Sequence, residues 1–283
     1  MINQTFTLRA SVAALTLLCA AQIMADPVET NIDGVAGFHD TPMLPGTPWH
    51  VHDPARPQPP IVTPGAQPKW HWYNFCHRSQ IPSDAIVLFD GKDSSQWVDA
   101  NGNPCPWPLK HGCLLSSKGG DIHTKQEFGD VQLHVEFREP LPIKGDGQGR
   151  GNSGVFMMGK FEVQVLDCYD NKTYPDGQTA ALYGQHPPLA NACRPPGKWQ
   201  TYDIAFTTPR VNADGSVKEP AYVTVFHNGV LVQNHEAYLG PSGWRFLAHY
   251  DDHTPVTGPI GLQYHNNPVR FRNIWIRPIV PVK

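Results

Sequence analysis

The chain predicts an all-β protein: two antiparallel sheets packed face to face, preceded by a proline-rich N-terminal arm. Three observations carry this expectation. Short apolar runs recur from residue 85 onward, separated by Gly, Pro, Asn and Asp. Side chains alternate within them, so that Val131, Leu133, Val135 and Phe137 face one way and Gln132, His134, Glu136 and Arg138 the other. No stretch of helical periodicity is sustained over three turns.

Residues 1–25 read as a secretory signal. Arg9 precedes the apolar run Ser11–Ala21, and Ala25 ends a cleavage site before Asp26. The run is shorter than the roughly 20 residues that span a bilayer, and no later segment is long and apolar enough. A lipoprotein reading through Cys19 is disfavoured by Leu18. The expectation is a periplasmic or secreted protein with no transmembrane segment. Residues 26–83 form the arm. Prolines every few residues across Pro42–Pro68 exclude helix and central strand alike, which leaves an extended spacer or a strap on the domain. The aromatic cluster Trp70–Phe75 is expected to dock on the core.

Residues 84–283 make the sandwich. Strands are expected at Ala85–Phe89, Cys113–Ser116, Val131–Arg138, Gly154–Met158, Phe161–Asp167 and Thr201–Phe206. Others follow at Tyr222–His227, Val230–Gln233, Ile260–His265 and Val269–Ile276, with Asn228-Gly229 as a two-residue hairpin turn. A net charge of -3 without a basic stripe gives no case for nucleic acid. Five cysteines follow the signal. In an oxidising compartment Cys105 with Cys113 and Cys168 with Cys193 are candidate pairs, leaving Cys76 over. No C-x-x-C motif supports structural zinc.

The chemistry concentrates in Gly151–Asp167, two strands meeting at a Gly159-Lys160 turn. The second strand carries Glu162, Gln164 and Asp167. Alternation puts Glu162 and Gln164 on one face roughly 6.6 Å apart, and a bulge would bring Asp167 to join them. Polar groups converging from an apolar strand suit a sugar or an acid–base site. Arg150, Asn152 and Ser153 lie in the glycine-rich approach to the preceding strand. Gln263 and His265 share a face of a late strand, where an imidazole can act as base or acid. Arg272 sits on an otherwise apolar strand and needs either a carboxylate on the acidic strand or an oxyanion. Tyr183, Gln185 and Trp199 are suited to stacking on and bonding to a sugar ring. The chain has no phosphate-binding glycine loop, G-x-S-x-G elbow or H-E-x-x-H pair.

In order along the chain, Leu88–Asp93 with Trp97, Phe128–Asp130, Asn152–Val155, Phe161–Asp167, Trp199–Asp203, Gly261–Gln263 with His265, and Phe271–Ile274 closely resemble the 3-keto-disaccharide hydrolase family. That family is also described as a 3-keto-glucoside 1,2-lyase/2-hydroxy-3-keto-glucal hydratase. The resemblance runs from about Ser83 to Pro278 and implies a concanavalin A-like β-sandwich, or jelly roll. The acidic strand is also similar to the E-x-D-x-x-E pattern of laminarinase-type β-glucanases, but carries Gln164 and Asp167 where those enzymes have Asp and Glu. A retaining glycosidase needs two carboxyl groups about 5–5.5 Å apart, and the shorter Asp167 disfavours that route.

The family resemblance implies a chemistry that tolerates one carboxylate: loss of the C2 proton of a 3-keto-sugar, elimination at C1, then hydration. For that chemistry we expect His265 and Glu162 as base and acid in either order, and Gln164, Arg150 or Arg272 at the enolate. Asn152, Gln263 and Tyr183 would orient the ring, and Asp167 would hold His265 or bind a divalent metal ion. A Glu/His/Asp set is compatible with such an ion, although its spacing is not diagnostic. The expected partner is a small carbohydrate. Two other functions fit a sandwich: a non-catalytic carbohydrate-binding module contacting sugar through Trp97, Trp107 and Trp244, and an envelope-tethered structural protein.

Overall fold

The computed structural model describes residues 26–65, 81–251 and 253–280; the expected signal segment, the Trp70–Phe75 cluster and Cys76 lie outside them. Two antiparallel sheets form the sandwich. The larger has eight strands, in the order Val230–Ala237, Tyr222–His227, Gln200–Thr207, Val131–Arg138, Arg270–Pro278, Cys113–Leu115 and Leu109–Lys110. Ile86–Phe89 pairs with the far half of Arg270–Pro278. The smaller has five, in the order Phe161–Val165, Ser153–Met157, Gly258–Leu262, Ile122–Phe128 and Trp97–Asp99.

Alternation assembles the core as expected. Leu133, Val135 and Phe137 from the larger sheet meet Val155, Met157, Phe161, Val163, Val165 and Leu262 from the smaller in one cluster with almost no solvent exposure. Each such side chain contributes roughly 1.5–3 kcal/mol relative to exposure, which fixes the relation of the two sheets. The complementary positions face outward. On the smaller sheet these are Gly154, Phe156, Glu162 and Gln164; on the larger, His134, Glu136 and Arg272.

Asn228 and Gly229, at φ 53° and 82°, close the Tyr222–His227 hairpin with two residues. The hairpin ahead of the acidic strand turns one residue earlier than the sequence suggests. Met158 and Gly159 take positive φ, and Phe161 already pairs with Met157. Ile122–Phe128 was not among the expected strands. Its sequence, Ile-His-Thr-Lys-Gln-Glu-Phe, buries only Ile122, Thr124 and Phe128 and shows little apolar alternation.

The N-terminal segment is packed against the sandwich. Glu29–Ile32 and Val35–Phe38 form a small hairpin, and the chain beyond it buries Leu44, Val51, His52 and Asp53. Further on, Val62 N–H donates to the Asn191 carbonyl (2.9 Å). All four described cysteines of the expected pairs are free thiols; Cys168 and Cys193 share a small buried cluster. Among the described residues no helix is long and apolar enough to cross a membrane.

Candidate functional site

The outward face of the five-stranded sheet floors a cavity of about 540 Å³. Glu162 and Gln164 reach it from the acidic strand, and Phe156 and Asn152 from its neighbour and the approach to it. Gln263 and His265 enter from the chain just beyond Gly258–Leu262, which ends before the expected His265. Walls come from two loops, with Tyr174 and Tyr183 on one and Ser242, Gly243 and Trp244 on the other.

Glu162 is the electrostatic centre of this cavity. Only 5% of its surface is exposed, and among the described residues no salt bridge or side-chain hydrogen bond compensates its carboxyl. Burial, reinforced by the negative charge of Asp121, pushes its pKa up to about 8. The sheet makes room for the carboxyl by placing glycine diagonally across from it, opposite Gln164. A Cβ on Gly154 would collide with Glu162 Oε1 and with the Phe156 ring. The backbone on either side is braced, since Glu162 N–H donates to Ser242 Oγ (3.0 Å) and Tyr238 Oη donates to the Glu162 carbonyl (3.1 Å).

The other lining groups are held by the fold. Gln164 Nε2 donates to Gln148 Oε1 (3.1 Å), while Val165 N–H donates to Gln164 Oε1 (3.0 Å). Asn152 Nδ2 donates to the Gln148 carbonyl (2.8 Å). Gln263 Oε1 is buried with no hydrogen-bond partner among the described residues, an acceptor of the kind that a ligand donor can meet. His265 is exposed at the rim. Tyr174 and Tyr183 hydroxyls lie 3.0 Å apart, and burial raises both pKa values, so the pair stays protonated. One hydroxyl proton is spent between the two oxygens. The second is free for a ligand oxygen.

Behind these phenols lies His52, supplied by the N-terminal segment. Its ring packs at a tilt against Tyr174 and Tyr183, with ring centres 4.1 and 4.9 Å away, and its backbone N–H donates to Asp176 Oδ2 (2.9 Å). Burial alone would raise the Asp176 pKa, but its interactions with His52, hydrogen bonds included, and the Arg56 guanidinium hold it below the usual carboxylate range.

The structure thus brings Glu162, Gln164, Asn152, Tyr183, Gln263 and His265 together. Other expected residues fall elsewhere. The register of the acidic strand is regular, without the bulge that would have turned Asp167 inward, and the strand ends at Val165. Asp167 accepts from Arg150 Nε (2.7 Å) and from Tyr169 N–H (3.2 Å), so it neither touches His265 nor lines the cavity. Arg150 is tied into that pair and lines an adjoining cleft. Arg272 projects from the opposite sheet and bonds Glu136 (2.6 Å). Trp199 lies beneath that guanidinium at 3.9 Å.

Ser153 braces the strand end by donating to the Gln263 carbonyl (2.7 Å), and Gln185 is buried bonding Leu239 and Gly240. Sequence reasoning passed over Gln148, Tyr174 and Ser242, which sit in loops with no periodic signal. Among the described residues no three His, Cys, Asp or Glu side chains converge as a metal-ligand set.

Comparison with known proteins gives this geometry a family. Residues 84–277 match the 3-keto-alpha-glucoside-1,2-lyase-like domain. The fold is similar to that of a crystallised "putative glycosyl hydrolase" from Parabacteroides distasonis ATCC 8503, 44% identical over 84% of this chain and 100% of that one, with a TM-score of 0.68. A second protein so described from the same organism is 20% identical over 73% of this chain and 99% of its own, with a TM-score of 0.52, and is a relative in fold. No match emerges among curated proteins. Family and first relative together place the protein among carbohydrate-processing enzymes with a β-sandwich fold. The chain belongs to the family of 3-keto-alpha-glucoside-1,2-lyase-like domains.

Proposed function

We propose that this protein is an exported enzyme that cleaves 3-keto-glycosides by elimination and hydration, with net hydrolysis. The observation that carries the reading is a single uncompensated carboxyl, Glu162, sharing a cavity with an imidazole and a protonated phenol pair. With a pKa of about 8 this carboxyl is mostly protonated near neutrality, which suits a proton donor rather than a nucleophile. A ketone at C3 acidifies the C2 hydrogen. His265 takes that proton, and the resulting enolate oxygen receives the free hydroxyl proton of the Tyr174–Tyr183 pair as a hydrogen bond.

The enolate then collapses. The C1–C2 double bond forms, the C3 carbonyl returns, and the C1–O bond breaks with its electron pair leaving on oxygen. Glu162 protonates that oxygen and becomes a carboxylate. Water adds at C1 by the reverse path: Glu162 takes its proton as the C1–O bond forms, and His265 returns a proton to C2. Gln164, Asn152 and Gln263 hold the ring hydroxyls. No step uses Arg150, Asp167 or Arg272, whose charges are spent on protein partners.

The test is to incubate the purified protein in D₂O with a methyl 3-keto-glucoside and with its unoxidised parent. Cleavage of the keto compound alone, with one deuterium at C2 of the product at early times, is expected. Cleavage of the unoxidised glucoside, or product without deuterium, would mean direct displacement at C1. Inertness towards both compounds would leave only carbohydrate binding.

A further inference from the structure

The outward face of the larger sheet, across the sandwich from Glu162, carries arginines that the proposed reaction does not use. Arg138 ends one central strand and Arg270 begins its neighbour, and the register sets the two directly opposite each other. Arg272 follows on the same face, opposite Glu136. Trp199 joins the group, with the Arg272 guanidinium 3.9 Å from its ring centre and that of Arg138 4.7 Å away.

Two of the three arginines lack a counter-charge. Along this face Asp203, His134, Glu136 and Arg272 alternate in sign and cancel. Asp203 holds His134 at 2.7 Å, and Glu136 accepts from Arg272 Nε at 2.6 Å. That series closes on itself and leaves Arg138 and Arg270 beyond its end. Among the described residues neither forms an ion pair or a side-chain hydrogen bond. Residues 66–80, outside the described residues, contain no Asp or Glu that could answer them.

Like charges directly opposite on paired strands repel, and here both side chains are half-buried, which limits screening by water. Burial first, then the charges of Arg270 and Arg272, lower the Arg138 pKa. Burial raises the pKa of the Cys113 thiol, and Arg272, Arg138 and Arg270 all oppose that rise, which marks their convergence on one spot. The strands fix the arginine backbones, so the cations cannot part by moving the sheet.

The geometry points to an oxyanion-binding site between Arg138 and Arg270, taking a phosphate group that is either free in solution or borne by a lipid headgroup. Each guanidinium presents a planar fork of donors that matches two oxygens of a tetrahedral anion. Arg272 uses only Nε on Glu136, so its outer nitrogens complete the rim. An anion there replaces the repulsion between the paired cations with attraction to both. The site is independent of the proposed reaction, since none of its residues lines the Glu162 cavity.

The test uses the full chain and inorganic phosphate, with ionic strength held constant by sodium chloride. Calorimetry should find one phosphate bound per chain, and phosphate should raise the Tm. Arg270→Gln and Arg138→Gln should each weaken that binding about tenfold. In chloride alone Arg270→Gln should melt no lower than the unaltered protein, because a like charge has gone. Circular dichroism identifies a variant that has not folded, and the other then decides. Cosedimentation with phosphatidylglycerol vesicles, against phosphatidylcholine vesicles, separates the two sources. Retention on the anionic vesicles alone, lost in the variants, names a headgroup; phosphate binding without retention names a soluble anion. Binding that folded variants keep, or a Tm rise that chloride reproduces at equal ionic strength, overturns the site. So does an unaltered protein that binds neither phosphate nor vesicles.

Discussion

Glu136 and Glu162 project from the outward faces of opposite sheets, and each is 5% exposed. Yet burial is answered at one and not at the other. Around Glu136 desolvation is outweighed by His134, Arg272 and Asn273, and its pKa falls to about 2. His134 is itself held by Asp203 (2.7 Å) and Glu136 and rises to about 9 against its own desolvation. Around Glu162 no cation among the described residues answers, Asp121 adds a like charge, and the pKa climbs to about 8. The larger sheet has a closed charge ladder that holds strands in register. The smaller sheet keeps a carboxyl at an energetic cost, the condition that the proposed proton donor requires. On the proposed function, compensation rather than depth separates the structural acid from the catalytic one.

The strongest way to break this contrast is a pair of matched substitutions. Glu162→Gln removes the proton donor and should lower kcat for a 3-keto-glucoside by about 10²–10⁴. It should also raise the Tm at neutral pH. A carboxyl whose folded pKa lies above its unfolded value costs stability as pH rises from about 4.5 towards 8, and glutamine escapes that cost. Glu136→Gln should do the opposite, leaving turnover in place while costing about 3 kcal/mol by stranding Arg272. Chemical denaturation and steady-state kinetics on both variants read the crossing. Equal loss of activity in the two would erase the distinction.

The pH profile sharpens the same comparison. If protonated Glu162 is the acid, kcat should fall about tenfold per unit above pH 8, with no such limb in Glu162→Gln. Stability should respond at other pH values. The Glu136 contribution is present above about 4.5 and lost as pH falls through about 2. That of His134 is present below about 6.5 and lost as pH rises through about 9. A rate that instead rises through pH 8 would exchange the roles of Glu162 and His265.

The two acids also differ in how far sequence reveals them. Strict alternation made the Val131–Arg138 faces legible, and the same rule put Glu162 and Gln164 side by side, because strand geometry is local. Partner choice is not local. A half-buried arginine at 272 demands an anion, but whether it meets the acidic strand or Glu136, 136 residues away, depends on sheet order. Arg150 and Asp167 show the same limit, since their mutual bond takes both out of the expected site. Tyr174 reaches the cavity through a loop packed on His52, a contact between segments 122 residues apart that no spacing in the chain announces.

Asp176 supplies the mildest and most discriminating prediction, because it combines the two cases. It lies behind the phenols that line the cavity, yet it is compensated like Glu136. Fully buried, it accepts from His52 N–H and feels the charge of Arg56, which keeps its pKa low despite desolvation. If compensation marks structure even at the edge of a site, Asp176→Asn should cost about 1–3 kcal/mol of stability through its weakened bonds. It should change kcat only severalfold, through looser seating of Tyr174 and Tyr183, and leave the alkaline limb of the profile near pH 8. The measurement is a Tm together with the full pH–rate curve. A displaced limb would place Asp176 in the proton-transfer machinery, and proximity to the phenols would then outweigh compensation as the sign of function.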